Sequence, residues 1–350
     1  MTASHVVVTG GAGFIGLPTV AELTGRGCAV TVVDSLRADV HREGAAASRA
    51  RLEGLGVRVV VADVRDLDEI RPLLQRATAV VHLAAKVGLG VNIDDMDEYV
   101  SSNDLGTATV LRACAAAGVG TFVQASSMVV YGEGRYTCAV HGAVPPGPRT
   151  VEALRRKEFE PPCPRCGRPL TPGFVTEDAR LDPRNTYAAT KVAQEHLASV
   201  WARECGGSAV SLRLHNVYGP GMPRDTPYAG VAAMFASGLD RGEAPRVFED
   251  GGQRRDFVYV DDVARAFVAA VDADLSGHRA LNIGSGTVST IGDVARALAD
   301  ARGGPDPVVT GEFRLGDVRH VTASSALAAE KLGWRARTGL EEGVRQLAVR

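Results

Sequence analysis

Tyr187-Ala-Ala-Thr-Lys191 places a phenol and an ammonium four positions apart. In a helix that spacing puts both on one face. A tyrosine with an unperturbed pKa of about 10 is a poor base at neutral pH. A neighbouring ammonium favours the phenolate and moves the pair toward acid–base work. The chain holds seven tyrosines and only four lysines (Lys86, Lys157, Lys191 and Lys331), so chance supplies only about 0.08 such pairs.

A second group is Gly10-Gly11-Ala12-Gly13-Phe14-Ile15-Gly16, directly after the apolar run Val6–Thr9. Glycines at 10, 13 and 16 allow a tight turn, close backbone approach and close helix–strand packing. Backbone N–H groups at a helix N-terminus can then hold a pyrophosphate. Alone, such a stretch is an ordinary glycine turn. Here a strand precedes it, a helix follows, and Asp34 ends the next strand 18 residues beyond Gly16. A carboxylate there accepts a ribose 2′-hydroxyl and repels a 2′-phosphate, which favours NAD over NADP. Arg37 lies close enough to soften that preference. Pro18 is expected just past the first helical turn, where it costs a hydrogen bond.

The third group is Cys138-Ala-Val-His141-Gly142, then 20 residues, then Cys163-Pro-Arg-Cys166-Gly167. Each pair has the two-residue gap that lets both side chains face one ion, followed by a glycine that suits a knuckle. Three thiolates and one imidazole make a closed, structural zinc site of Cys138, His141, Cys163 and Cys166. Reduced unpaired thiols or a local disulfide are the alternatives. Cys28, Cys114 and Cys205 read as small core or surface residues.

These groups need elements to hold them. Val6–Thr9, Val30–Val33, Val57–Val61, Ala79–Leu83 and Thr121–Ala125 are short, Val-rich apolar runs and read as buried strands. Helical spacing fills the intervals, as in Leu67–Arg76 and Thr107–Ala117, and resumes over Tyr187–Cys205 before a strand at Val210–Leu214. Such alternation predicts an α/β fold: a Rossmann-type doubly wound parallel sheet with helices on both faces. From Glu133 to Arg184 the chain turns rich in Pro, Gly and Arg, with a helical piece near Val151–Lys157, and reads as an insertion. After Gly219, helices near Val231–Arg241, Asp262–Val271 and Ile291–Ala301 build a smaller C-terminal lobe. The expected division is therefore a dinucleotide-binding domain (1–132 and 185–216), the insertion (133–184), and a lobe over 217–350 that interleaves with the first.

Composition excludes several classes. Lys+Arg is 39 and Asp+Glu 41, a net charge of −2, which argues against a reader of nucleic-acid backbone. The short run Arg155-Arg156-Lys157 is no more than a solvated face. No apolar stretch is long enough to span a bilayer, and no signal-peptide pattern follows Met1. Six cysteines are too few for a disulfide scaffold, so a cytoplasmic setting is expected.

Thr9–Gly16 and Tyr187/Lys191, with further pieces between and after them, resemble the extended short-chain dehydrogenase/reductase superfamily, in its nucleotide-sugar epimerase/dehydratase branch. The pieces are Asp63-Val64, His82-Leu-Ala-Ala85, Asn103-Asp-Leu-Gly-Thr107, Ser126-Ser127-Met-Val-Val-Tyr131-Gly132, Leu212-Arg-Leu-His-Asn216-Val-Tyr-Gly-Pro220, Arg255-Asp-Phe-Val-Tyr-Val-Asp-Asp262, Asn282-Ile-Gly284 and Arg314-Leu-Gly-Asp317-Val318. The resemblance implies that Ser127 hydrogen-bonds the reacting sugar oxygen, Tyr187 is base and acid, and Lys191 tunes Tyr187 and holds the nicotinamide ribose. It implies a cofactor site of Gly10, Gly13, Phe14, Ile15, Gly16, Asp34, Asp63, Val64, Leu83, Ala84, Ala85, Asn103, Tyr187 and Lys191. Asn216, Arg255, Arg314 and Asp317 would meet the substrate, where a guanidinium fork suits diphosphate oxygens. His82 is read as a packed residue at a strand end. A homodimer is implied as well.

Departures from the branch narrow the reaction. The branch's 4,6-dehydratases carry an Asp-Glu pair after the catalytic hydroxyl residue, its decarboxylases a Glu at the second position, and some of its epimerase-reductases a Cys at the first. Here those positions are Met128 and Val129, which move no proton. What remains is oxidation at C4, rotation of the keto sugar and return of the hydride to the other face: an NAD-dependent nucleotide-sugar 4-epimerase that regenerates its cofactor. The cysteine-bearing insert resembles that of some actinobacterial-type sugar epimerases, and the substrate this resemblance suggests is a dTDP-6-deoxyhexose such as dTDP-L-rhamnose. Its ends lead to both catalytic residues, so a zinc knuckle would staple a lobe that roofs the sugar pocket. The alternatives are a nucleotide-sugar oxidoreductase with net hydride transfer, a UDP-hexose or UDP-uronate 4-epimerase, and, more remotely, a non-catalytic dinucleotide sensor, although sensors typically lack the Tyr/Lys pair.

Overall fold

The computed structural model describes residues 4–37, 45–88, 93–224 and 230–348. Its centre is a seven-stranded sheet in the order 277–283, 208–214, 121–127, 79–82, 5–9, 29–34, 58–61. Every neighbouring pair is parallel. Strands buried on both faces must be apolar throughout, which is why they are Val-rich. Alternation along each strand sorts the core into two halves. Val6, Val8, Val30, Val32 and Val81 face one side, where Val20, Leu23, Val263 and Phe267 from helices Gly16–Gly25 and Val260–Asp272 cover them. Val7, Val33 and Val80 face the other, under Leu74, Val110, Ala198 and Trp201 from helices Leu67–Leu74, Gly106–Ala117 and Thr186–Cys205.

Strand order reverses between 5–9 and 79–82, so a crevice opens there beyond the carboxyl ends of the strands. The seventh strand, Gly277–Ile283, was not expected from sequence: His278, Arg279 and Asn282 interrupt its apolar pattern. Strands Asn216–Tyr218, Arg254–Tyr259 and Val288–Thr290 form a second sheet, with helices Val231–Asp240, Ile291–Arg302 and Leu340–Ala348 packed around a core that holds Tyr218, Phe257 and Tyr259.

The insertion forms its own four-stranded sheet, in the order 322–323, 171–175, 135–138, 142–143. Its small core is Tyr136, Cys138, Val144, Cys163 and Leu170. One strand of that sheet, Thr322–Ala323, comes from the C-terminal part of the chain and runs parallel to Phe174–Val175.

Pro18 corrects an expectation. The helix starts at Gly16, so Pro18 is its third residue. An N–H there has no partner within the helix, and its absence costs nothing.

Candidate active site

The glycine loop lies at the reversal of strand order. Gly10 has φ +70°, and a Cβ there would sit 2.6 Å from the backbone N of Ala84 and 2.8 Å from the carbonyl carbon of Leu83. A Cβ on Gly16 would overlap the Gly10 carbonyl oxygen, and one on Gly13 would come within 3.3 Å of it. The chain 83–85 therefore forms a wall beside the loop. Phe14 packs toward the second core and Ile15 toward the first. The helix that begins at Gly16 has no side-chain cap and no acid in its first turn. Leu17 N already donates to Gly13 O at 3.0 Å and Pro18 has no N–H, so the capacity to meet an anion rests with the amides that precede Leu17. Asp34, 8 % exposed, accepts from Ala12 N at 3.0 Å and Leu36 N at 2.9 Å, so it braces the loop from the next strand. Arg37 pairs with Glu98 at 3.2 Å.

Asp63 forks onto Arg65, which holds its carboxyl below the usual carboxylate range, while Val64 packs on the half of the main core that holds Val7, Val33 and Val80. Asn103 is fully buried on a π-helical stretch, Val100–Leu105. Its amide accepts from Lys86 N at 2.8 Å and donates to Lys86 O at 3.0 Å and Thr190 Oγ1 at 2.9 Å. It therefore ties the chain after the 83–85 wall to the Tyr187 helix. His82 bridges Thr9 Oγ1 (2.7 Å) and Thr107 Oγ1 (3.0 Å), and burial lowers its pKa to about 3. It is a neutral packed residue, as read from sequence.

Asn185 caps the helix Thr186–Cys205 by accepting from Ala188 N at 2.8 Å, which sets Tyr187 in its first turn. Lys191 Nζ lies 5.7 Å from the centre of the Tyr187 ring and donates to Ala125 O at 2.8 Å. Burial holds this ammonium down to about 8, with Glu195 and then Asp104 opposing. Burial also pushes the Tyr187 phenol above its ordinary range, and the Ser127 hydroxyl acts against that shift. Desolvation thus outweighs the help that spacing alone promises. Ser127 ends its strand and caps the turn Met128–Tyr131, with Val129 N 3.4 Å from its hydroxyl. Met128 and Val129 occupy that turn and bring no titratable atom to it.

Beyond the strand ends, Asn216 Oδ1 is shielded from water without a hydrogen-bond partner. Arg255 donates to the carbonyls of Arg254 (2.8 Å), Arg319 (2.9 Å) and Val318 (2.7 Å). Burial lowers its pKa, with Asp317 the strongest opposing charge. Burial raises Asp317, and Arg314 is the main group against it. Arg314 is exposed in the same turn, and its carbonyl accepts from Asp317 N at 3.3 Å.

In the insertion, one ligand atom each from Cys138, His141, Cys163 and Cys166 lies within 4.8 Å of the others. Cys138 Sγ is 3.6 Å from His141 Nδ1 and 3.7 Å from Cys166 Sγ, and Cys163 Sγ is 3.6 Å from the same nitrogen. Amide hydrogens of Val140 and His141 point at Cys138 and hold its thiol near 6. At 3.7 Å the sulfurs are not in a disulfide, whose bond is about 2.05 Å.

Glu133, Arg149, Glu249 and Arg319 were not singled out from sequence. They lie in separate stretches with no common spacing, yet all are buried. Their only sequence signal is residue type, and in a chain with so many arginines that signal is weak.

A doubly wound sheet, a glycine loop at its reversal point, and a Ser127/Tyr187/Lys191 group beside it define a dinucleotide-dependent enzyme of the short-chain dehydrogenase/reductase type. The sequence profile described as the NAD dependent epimerase/dehydratase family matches residues 6–152 and 166–284. The chain belongs to that family. It is 35% identical over 348 residues to a dTDP-L-rhamnose 4-epimerase of Burkholderia thailandensis, covering 98% of this chain and 93% of the relative. Among solved structures it resembles a UDP-glucose 4-epimerase of Thermotoga maritima with UDP-glucose (TM-score 0.80, 29% identity, 98% and 97% of the two chains). It also resembles a UDP-glucose 4-epimerase of Thermus thermophilus in complex with NAD (TM-score 0.77, 32% identity, 98% and 97%). The epimerase class expected from sequence is the class of these relatives. Among the described residues, no helix is long and apolar enough to cross a membrane.

Proposed function

We propose that the protein is an NAD-dependent 4-epimerase of a nucleotide-linked 6-deoxyhexose, with dTDP-L-rhamnose the first candidate substrate. The observation that carries this reading is a Ser127/Tyr187/Lys191 group followed by Met128 and Val129, where dehydration or decarboxylation would need acids. The relative named dTDP-L-rhamnose 4-epimerase supports the sugar. The glycine loop, the uncapped helix start and Asp34 fit the pyrophosphate and adenosine ribose of NAD. When bound, NAD would supply a reversible hydride acceptor and a positive charge to oppose the effect of burial on the phenol. Tyr187 takes the proton from the C4 hydroxyl, while Ser127 holds that oxygen. Lys191, charged below about pH 8, adds a positive charge 5.7 Å from the Tyr187 ring centre. After the keto sugar turns over, so that C4 receives the hydride on its opposite face, Tyr187 gives the proton back to the C4 oxygen. Asn216, Arg255, Arg314 and Asp317 are assigned to the nucleotide diphosphate and its surroundings, and the unpartnered Asn216 Oδ1 suits a ligand hydroxyl or N–H.

The insertion is assigned a structural zinc ion. A tetrahedron with Zn–S of about 2.3 Å and Zn–N of about 2.05 Å has S···S edges of about 3.8 Å and S···N edges of about 3.6 Å. The distances of 3.7 Å and 3.6 Å fit it. All four positions would be filled by protein, which leaves none for substrate. We also assign a homodimer, supported by exposed Met96, Val100, Leu105 and Val200 on the neighbouring 96–117 and 186–205 segments. The reduced thiols of the insertion suit a cytoplasmic setting.

Proton NMR of the purified enzyme with dTDP- and UDP-hexoses, without added NAD, tests the function. A second set of sugar signals with inverted H4 couplings and no net NADH is expected. Stoichiometric use of added NAD or NADH would replace this reading with that of an oxidoreductase.

A further inference from the structure

The insertion grips the segment that receives Arg255. Residues 317–323 are held from two sides. On one side, strand Arg254–Tyr259 donates from Arg254 N to His320 Nδ1 at 3.0 Å and accepts at Arg254 O from Val321 N at 3.1 Å. On the other side stands the insertion. Glu133 Oε2 accepts from Arg319 N at 2.9 Å, Arg149 Nη2 donates to Asp317 O at 2.6 Å, and Glu160 meets both Arg319 (2.9 Å) and His320 (2.8 Å). Phe174–Val175 then pairs with Thr322–Ala323.

Two arginines lock the joint. Arg149 and Arg319 share Glu249, one on each carboxylate oxygen, both at 2.8 Å. The three side chains are 4 %, 2 % and 3 % exposed respectively. Arg319 also forks onto Asp250, with both contacts at 2.8 Å. Buried charges at such distances resist displacement, because breaking one contact strands its partner away from water. What the joint holds still are the carbonyls of Val318 and Arg319, two of the three that receive the Arg255 guanidinium.

We propose that Arg149 and Arg319 are positioning residues, through which the insertion sets the geometry of Arg255 toward the diphosphate of a bound nucleotide sugar. This rests on the functional reading above, in which Arg255 meets the diphosphate. The partners of the two arginine side chains are Glu133, Phe159, Glu160, Glu249, Asp250 and Asp317, none of them in the Ser127/Tyr187/Lys191 group, so their influence falls on binding of the nucleotide and not on proton or hydride transfer. The insertion is thereby part of the substrate site, although its Cys138/His141/Cys163/Cys166 group is a separate feature.

The test uses Arg149→Met in the NAD-loaded full chain. Its readouts are dTDP and UDP binding by calorimetry, KM and kcat for the epimerised sugar, bound NAD, and deuterium uptake over residues 314–323. The expected result is at least a tenfold weaker Kd for the nucleoside diphosphate and a matching rise in KM. The kcat stays within threefold, bound NAD is unchanged, and deuterium uptake rises. An unchanged Kd in a folded variant overturns the proposal, as does a fall in kcat with KM intact. Glu160→Gln provides the milder variant should Arg149→Met not fold: its side chain is 45 % exposed, and it touches only the far side of the joint. It is expected to weaken diphosphate binding about threefold, and an unchanged Kd with raised uptake overturns the proposal equally. Failure of the wild-type enzyme to bind either diphosphate defeats the functional reading itself, which separates the two.

Discussion

Glu195→Gln links the stability of the Tyr187 helix to its chemistry. Glu195 stands one helical turn beyond Lys191 and receives Arg213 on both oxygens, at 2.9 and 2.7 Å. Ser126 Oγ adds a third bond at 2.5 Å. Both side chains of the pair are 5 % exposed. The substitution is nearly isosteric, so it leaves little cavity. It removes the charge that balances Arg213 and turns an acceptor into an N–H donor facing other donors. Removing one partner of a buried pair costs about 3–5 kcal/mol. Unfolding entropy of roughly 2.1 cal/mol/K per residue makes that a fall of roughly 4–7 °C in Tm for a chain of this length. Calorimetry at pH 7 on the variant and the wild type reads it. Glu195 is also the strongest group that keeps Lys191 protonated against burial. Without it the ammonium loses its proton below its present value of about 8, so the alkaline decline of kcat moves to lower pH. Replacing both members, Glu195→Leu with Arg213→Met, should cost less than Glu195→Gln alone, because no charge is then stranded. A folded Glu195→Gln protein whose Tm falls by less than about 2 °C would refute the assigned energetics. An unmoved alkaline limb would refute the electrical link to Lys191.

Tyr187→Phe should lower kcat by roughly 10²–10⁴, the usual worth of a positioned acid–base group, with bound NAD unchanged; retention of a tenth of the activity would remove Tyr187 from that role. Asp34→Ala should weaken NAD and narrow its advantage over NADP, as measured by fluorescence titration. Equal discrimination in the variant would place the ribose partner elsewhere. Purified protein should carry one zinc per chain by elemental analysis, and less than half an equivalent without chelators would dismiss the assignment. Cys138→Ser should release that metal and lower Tm, while bound NAD is unchanged.

Part of this protein can be read along the chain because the relevant geometry is local. A helix turns at 3.6 residues, so Tyr187 and Lys191 share a face wherever the helix sits. The glycine loop, Asp34 and the two Cys/His knuckles likewise depend on spacing within one or two adjacent elements. Continuous valine runs announce a sheet buried on both faces. Strand Gly277–Ile283 escaped because polar residues that pair with neighbours interrupt it: Asn282 accepts from the Tyr131 hydroxyl, and His278 meets Ser211.

Tertiary structure decided what depends on distant segments meeting. It brought the knuckles at 138–141 and 163–166 to within 4.8 Å, a closeness that each alone leaves open. It set burial against the Ser127 hydroxyl at the Tyr187 phenol, and burial prevailed. It also joined Arg149, Glu249 and Arg319, which no periodicity connects. The physical reason is the same in each case. Spacing along a chain fixes direction within an element, whereas solvent exclusion and charge pairing arise only when separate elements pack.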